Sequence, residues 1–402
     1  MASTKNITMK EYNGVDYDTL YPKTVAEQVI GIYSKDEILS DETKQLYNFG
    51  TDATPNDIFL KLLFGAQEFG YIITLQSSTG MPLKGLTISG INPLPSGNLV
   101  SNDNGVVIGK STSSNVVLKI QSPYIDLSIP DSVPVQSTGA LTKKTITINP
   151  NTNLIKIASS QIINFSPILK TYDLLAVGGG GAGGRAYSSS RMEAAGTGGG
   201  GGYTKEVKNL VATPNLSLNI TIGAGGSNDR TGEGNPKDGG QTKVINENTK
   251  EIIAIANGGK HGETATDETQ PSGGAGDGTG GKVTYRESGG NVYFNGTDGT
   301  RSSLGILGTP NSPAGGGGGG CMNRFYNGTQ YTFGTPGKGA GLGGGGGLGI
   351  NSSTVDGKDG QSGGGGGGGG SRFYNDKSGS KNRYDGFGGN GGDGAVWLKF
   401  YF

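Results

Sequence analysis

The chain has 402 residues, with 33 Lys and Arg against 33 Asp and Glu and a formal net charge of zero. That balance leaves no whole-chain electrostatic footprint for nucleic acid or an anionic membrane. A single cysteine, Cys321, excludes an intrachain disulfide, and no window approaches the roughly 18 apolar residues a membrane helix needs.

Glycine divides the sequence. Of 80 glycines, 12 precede residue 161 and 68 follow it, so the second part is more than a quarter glycine against an average of about 7%. Residues 1–33 carry Tyr12, Tyr17, Tyr21 and Tyr33 and are expected to form an extended arm. MASTKNITMK has no apolar run after its lysine, so no secretory signal is expected. Short helices are predicted next. Ser34 and Glu37 have capping-box spacing, and Thr54-Pro55-Asn56-Asp57 sets a capping hydroxyl, an N1 proline and an acid in order before Ile58–Phe64. Residues 1–68 are therefore assigned to an attachment arm with short helices.

From residue 69 to 155 apolar residues alternate in YIITLQ, GLTISGI, VVLKI and KTITINP, with turns at Ser78-Thr79-Gly80, Pro95-Ser96-Gly97 and Asn104-Gly105. Short strands so spaced predict a small antiparallel β-sandwich acting as a spacer. Residues 156–402 alternate glycine blocks with strand-like runs: Tyr172–Val177, Leu216–Gly223, Ile252–Ala256 and Ala395–Phe402. The fold class expected is mainly β and multidomain. Collagen is excluded by the missing Gly-X-Y period. Runs such as Gly363–Gly370 have no side chains to bury, so backbone hydrogen bonds must organise them, and extended three-fold glycine helices lying side by side are one solution.

Two segments carry a resemblance. ILSDETKQLYNFGTDATPNDIFLKLL, Ile38–Leu63, resembles a segment of tail fibres from phages and prophages of Gram-positive bacteria, with Thr43, Tyr47, Gly50, Asp52, Ala53, Pro55 and Asp57 at matching places and Asn56 where an acid is usual. TYDLLAVGGGGAGG, GGGGGYTKEV, LSLNITIGAGG and GGNGGDGAVWLKFYF resemble the glycine-rich C-terminal domain of phage fibre and adhesin proteins. Thr79–Gly90 and Ser101–Val107 are similar to transthyretin-like or carboxypeptidase-regulatory-like sandwiches. These resemblances imply a tail fibre or receptor-binding protein of a phage or tail-only bacteriocin. It would be trimeric, held to a baseplate or fibre shaft by its N-terminal part, made in the cytoplasm and carried on the particle. Its distal C-terminal half would contact a bacterial surface glycan, teichoic acid or surface-layer protein, with no cofactor, nucleic acid or inserted membrane segment.

Chemical motifs are few. Gly178, Gly180 and Gly183 fit a dinucleotide fingerprint after a strand, but no amphipathic helix pattern follows. Gly105–Ser111 imitates a phosphate loop with one residue too few and lies in strand-rich sequence. His261 is the single histidine, without zinc partners or a nucleophile elbow, and Cys321 reads as a small buried residue. Scattered carboxylates keep a glycan depolymerase as the enzymatic alternative, and a purely structural baseplate component is a third. The strongest repeat is Asn323-Arg324-Phe325-Tyr326-Asn327 against Ser371-Arg372-Phe373-Tyr374-Asn375, each after a glycine block, with Tyr293-Phe294-Asn295-Gly296 a near echo of Phe325–Gly328. With Arg185, Tyr187, Tyr331, Arg383 and Tyr384 these residues are expected on loops that present flat rings and hydrogen-bonding groups to a receptor. The alternative is that the rings plug a side-chain-poor core.

Overall fold

The computed structural model describes residues 68–402 apart from 95–96, 138–140, 187–193, 229–234, 267–268, 289–290, 310, 327–328, 331–334, 342, 345–355, 366–367, 369–370 and 376–380; at 286–288, 291–293, 322–326, 329–330, 371–375 and 381–385 it describes the backbone. The predicted arm and helices, and the fibre-like segment Ile38–Leu63, lie outside these residues. The chain forms two compact units: one runs to Pro123 and includes Leu127–Asn149, the other joins Tyr124–Asp126 to Pro150–Phe402. Every regular element among the described residues is a strand, so the protein is a multidomain β fold.

The first unit holds β1 (Phe69–Ser77), β2 (Thr87–Ser89), β3 (Asn92–Pro93), β4 (Val106–Ser111), β5 (Asn115–Gln121), β6 (Leu127–Ser128), β7 (Val133–Gln136) and β8 (Leu141–Pro150). They form a five-stranded sheet, β3-β4-β1-β8-β6, and a three-stranded sheet, β2-β5-β7. Alternation fixes which face is buried: Tyr71, Ile73 and Leu75 of β1 are inaccessible, as is Leu118 of β5, with Val116 and Ile120 nearly so. Turns fall at Gly80 and Gly105, both with positive φ; a Cβ on Gly105 would stand 2.2 Å from the Leu75 carbonyl oxygen. One pairing departs from the antiparallel expectation. β1 and β8 run parallel, because the chain crosses to the second sheet through β5 and β7 before returning beside β1.

The second unit is built in tiers. At its base lie β9 (Ile155–Ile157), β10 (Gln161–Asn164), β11 (Thr171–Val177), β13 (Thr204–Val211), β14 (Ser217–Thr221), β15 (Thr242–Asn246), β16 (Ile252–Ala256) and β24 (Ala395–Tyr401), with β12 (Ala194–Gly196) elsewhere. They make two four-stranded sheets, β10-β14-β15-β16 and β13-β11-β24-β9. Leu174, Ala176, Leu218, Ile220, Val244, Leu398 and Phe400 fill one core with Phe165 and Tyr172, whose rings stack at 5.6 Å. Asp173 explains an irregularity: its carboxylate accepts the Asn209 N–H at 2.8 Å and the Tyr401 hydroxyl at 2.7 Å, at the bulge between β11 and β13. Asp126 ties the separate strap to this base, accepting the Ser166 N–H at 2.9 Å and its hydroxyl at 2.6 Å.

The base strands β11, β13, β14, β15, β16 and β24 run into glycine segments without a break, and hydrogen-bond spacing gives the conformation. From Gly178 to Ala186, residues 178, 181 and 184 donate to Tyr203, Gly200 and Thr197; residues 179 and 182 donate to Gly240 and Lys237; residues 180, 183 and 186 donate to Gly392, Gly389 and Gly386, all at 2.8–3.1 Å. One neighbour is met every third residue, the period of a three-fold extended helix. The segment also accepts from Gly226, Gly259 and Gly262, so it sits inside a bundle of such helices. The backbones touch: a Cβ on Gly180 would lie 2.0 Å from the Gly364 carbonyl oxygen, and one on Gly199 would lie 2.2 Å from that of Gly181.

Candidate functional site

The same bonds order the bundle from end to end. Its base end is marked by the strand junctions at Gly178, Tyr203 and Gly394, by short turns at 276–279 and 361–363, and by Gly341, with Gly341 and Gly363 at positive φ. The opposite end is marked by Ala186, Ala194, Glu263, Lys282, Thr297, Cys321, Thr335, Asp356, Gly368 and Gly386. Register fixes this end: Gly184 bonds Thr197, Thr197 bonds Glu263, Gly198 bonds Gly281, Gly320 bonds Gly196, Gly368 bonds Gly318 and Gly357 bonds Phe387. The strands that follow Lys282, Cys321 and Gly368 therefore lie at this end, away from the base where the chain enters.

Three excursions build a sheet. β18 (Val283–Ser288), β19 (Asn291–Gly296), β20 (Met322–Tyr326), β22 (Ser371–Asn375) and β23 (Lys381–Asp385) lie in the order β18-β19-β20-β22-β23, and β21 (Thr329–Gln330) pairs with β20. At about 3.3 Å per residue the five- and six-residue strands of this fin are each on the order of 15–20 Å long. Its foot is apolar. Phe294 is fully buried with Ala195 and Ala265, which belong to β12 and β17 (Thr264–Thr266), and with Val283; Tyr285 meets its ring edge-on at 5.5 Å.

The segments expected to be loops after glycine blocks are strands at Arg324–Tyr326, Arg372–Asn375 and Arg383–Tyr384, and Tyr293 lies on β19. The reason is partnership: β20 and β22 pair parallel, Arg324 opposite Phe373 and Phe325 opposite Tyr374, and β23 closes on β22, Arg383 opposite Phe373 and Tyr384 opposite Arg372. The repeated motif thus stacks beside itself. Tyr187, Asn327 and Tyr331 lie outside the described residues. Arg185 is half-buried, its guanidinium 4.7 Å from the Phe387 ring centre and its carbonyl accepting the Thr264 hydroxyl at 2.7 Å. Phe294 is a plug, as the core alternative for these rings requires.

Other sequence candidates resolve structurally. Gly178–Gly184 is glycine helix and Val106–Ser111 is strand, so neither forms a phosphate cradle. Cys321 is fully buried. His Nδ1 of residue 261 lies 2.7 Å from Asp238, which also accepts the His261 N–H and the Lys260 ammonium. Burial pushes the Asp238 carboxyl up, but the Lys260 and His261 hydrogen bonds outweigh it and bring the pKa down to about 2. Among the described residues no group of three His, Cys, Asp or Glu is placed to hold a metal.

Sequence reasoning missed a set of side-chain clasps on the bundle. Asp356 accepts the N–H of Phe387 while Gly357 donates to the Phe387 carbonyl; three residues on, Asp359 and Gly360 do the same to Asn390. Asn295 with Gly296 grips Thr335, and Asp298 with Gly299 grips Lys338. Thr297 and Thr300 form a one-residue version on Lys282 and Thr279. The signal was an Asx-Gly pair recurring at three-residue spacing, as in Asn295-Gly-Thr-Asp298-Gly and Asp356-Gly-Lys-Asp359-Gly.

A β-sandwich base, a bundle of hydrogen-bonded glycine helices and a projecting sheet define a glycine-scaffold β protein. The chain belongs to the glycine-rich domain family, whose pattern it matches over residues 158–401. No curated protein matches the sequence. Among solved structures the chain is similar to a streptococcal ancillary pilin, with 9% identity and a TM-score of 0.21 over 48% of this chain and 63% of the pilin. It is also similar to BcpA, the major pilin subunit of Bacillus cereus, with 9% identity and a TM-score of 0.19 over 56% and 91%. The chain thus spans less than two thirds of the ancillary pilin, and scores this low carry no functional argument.

Proposed function

We propose that this protein is the receptor-binding fibre, or fibre tip, of a phage or phage-tail-like particle, and that it attaches the particle to the surface of a Gram-positive bacterium by binding without catalysis. The observation that carries this reading is the polarity of the second unit: the chain enters at the base, and the fin with its Arg, Tyr and Phe residues leaves at the far end of a stiff scaffold. The resemblance of Ile38–Leu63 to fibre segments supports attachment through the N-terminal part to a baseplate or shaft. Four of the bundle's carboxylates, Asp238, Asp356, Asp359 and Asp393, each accept a backbone N–H, a role in holding the scaffold. Trimeric display would multiply weak single-site contacts into firm attachment.

The test is adsorption of fluorescently labelled full-length protein to a panel of Gram-positive strains, with the Tyr326→Ala/Tyr374→Ala double variant beside it. Strain-selective binding that the variant loses, at unchanged thermal stability, is the expected result. Undiminished binding by the variant removes these residues from the contact, and binding to no strain moves the protein to a structural role within a particle.

A further inference from the structure

An asparagine followed by glycine is open to attack by its own main chain, because the glycine nitrogen has no Cβ beside it to hinder approach to the side-chain amide carbon. Among the described residues that pairing occurs at Asn104-Gly105, Asn257-Gly258, Asn295-Gly296 and Asn390-Gly391, and the fold treats the four differently. In the bundle each asparagine side chain is tied to another segment. Asn257 Oδ1 accepts the Gln241 side-chain N–H at 2.9 Å, Asn295 Oδ1 the Thr335 N–H at 3.1 Å, and Asn390 Oδ1 the Asn228 N–H at 2.8 Å. The glycines that follow are held as well. Gly296 and Gly391 donate to Thr335 and Gly226 at 2.8 Å, and a Cβ on Gly258 would run into the Gly239 carbonyl oxygen. Swinging any of these three amides onto the next nitrogen breaks contacts between helices.

Asn104 stands apart. It is exposed in the turn that leads into β4, and among the described residues no hydrogen bond holds its side-chain amide. The bonds around it are local to the turn: Asn102 Oδ1 accepts the Asn104 and Val106 N–H groups at 3.0 Å, and the Asn102 carbonyl accepts the Gly105 N–H at 2.9 Å. Rotation about the Asn104 Cα–C bond therefore disturbs the turn alone, and an exposed turn opens at far lower cost than a packed interior.

We propose that Asn104 is a site of spontaneous deamidation in the folded protein, and that the bundle protects its own Asn-Gly links from the same reaction. The Gly105 nitrogen attacks the Asn104 side-chain carbon, forming a C–N bond. The bond from that carbon to Nδ2 breaks, and ammonia leaves with the proton released by the Gly105 amide. Water then opens the resulting cyclic imide at either carbonyl. One product is aspartate; the other is isoaspartate, in which the main chain runs through the former side-chain carbon. Either adds a negative charge beside Asp103, whose carboxylate pairs with Lys84 at 2.6 Å. Isoaspartate also lengthens the turn from which the Gly105 carbonyl accepts the Leu75 N–H at 2.7 Å.

The test is to age the full-length protein in mildly alkaline buffer, folded and in denaturant, and to follow each Asn-Gly peptide by mass spectrometry. In the folded protein, conversion at Asn104 is expected to be on the order of tenfold or more faster than at Asn257, Asn295 and Asn390. In denaturant the four should react at similar rates. Asn104→Gln, which keeps an amide but forms the smaller ring no longer, should remove the charge variant seen by ion exchange that maps to this turn. Asn104 staying intact while folded, or bundle asparagines converting as fast as Asn104, overturns the proposal. So does a rate order in denaturant that already matches the folded one, since the fold would then protect nothing. Receptor binding plays no part in this chemistry, so neither outcome bears on the recognition reading.

Discussion

At the scale of single residues, the glycines of the bundle are a packing requirement. Gly180 is surrounded by backbone, and a methyl group there would stand 2.0 Å from a carbonyl oxygen that belongs to another helix. No rotamer relieves such a contact, because the obstacle is main chain. Gly180→Ala is expected to destabilise the second unit by about 1–3 kcal/mol or more, the usual cost of overpacking, measured as a fall in thermal or denaturant midpoint. Ala182 and Ala186 are fully buried in the same segment, so the prohibition is specific to positions whose Cβ direction meets a neighbour. A run of glycine letters does not distinguish the two kinds of position; only the neighbours do.

Among the elements, the clasps lock adjacent helices in register. A glycine helix has no side chains to specify its axial position, and a slip by one turn would present a similar surface. Asp356 and Asp359 remove that degeneracy by gripping Phe387 and Asn390 three residues apart. The Asp356→Ala/Asp359→Ala variant is expected to lose about 0.5–1.5 kcal/mol per hydrogen bond, and hydrogen exchange at the Phe387 and Asn390 amides should accelerate selectively. Unchanged exchange at both amides would show that the carboxylates are dispensable there. The strands of the base were legible as elements: Tyr172–Val177, Ile252–Ala256 and Ala395–Phe402 are apolar runs of strand length and fold as strands. Arg324–Tyr326 and Arg372–Asn375 were not, because glycine on their flanks reads as loop and they pair with each other from far apart in the chain.

For the whole molecule, the continuity of base strands into glycine helices makes the sandwich the anchor of the scaffold. Leu174 sits fully buried in the base core, four residues before Gly178 on the strand that leads into the bundle. Leu174→Ala is expected to cost about 2–5 kcal/mol and to lower the unfolding midpoint of base and bundle together. Two separated transitions, with amide protection at Gly181 outlasting the base, would show that the bundle stands alone. The entropy lost in ordering so many glycines is what a shared, cooperative structure must offset, and dense inter-helix hydrogen bonding is the means visible here.

By itself the sequence determined the β class, the change of character near residue 160, the strands that bound the glycine blocks and the three-residue logic available to glycine, since each follows from local periodicity or from the absence of Cβ atoms. The fold's tertiary contacts decided which helices are neighbours, that the strands after Lys282, Cys321 and Gly368 lie at one end, that two copies of an Arg-Phe-Tyr motif pair in parallel, and that Phe294 is core. Those outcomes depend on hydrogen bonds between segments far apart in the chain, made by backbone groups that are identical at every glycine and therefore leave no mark in the order of the residues.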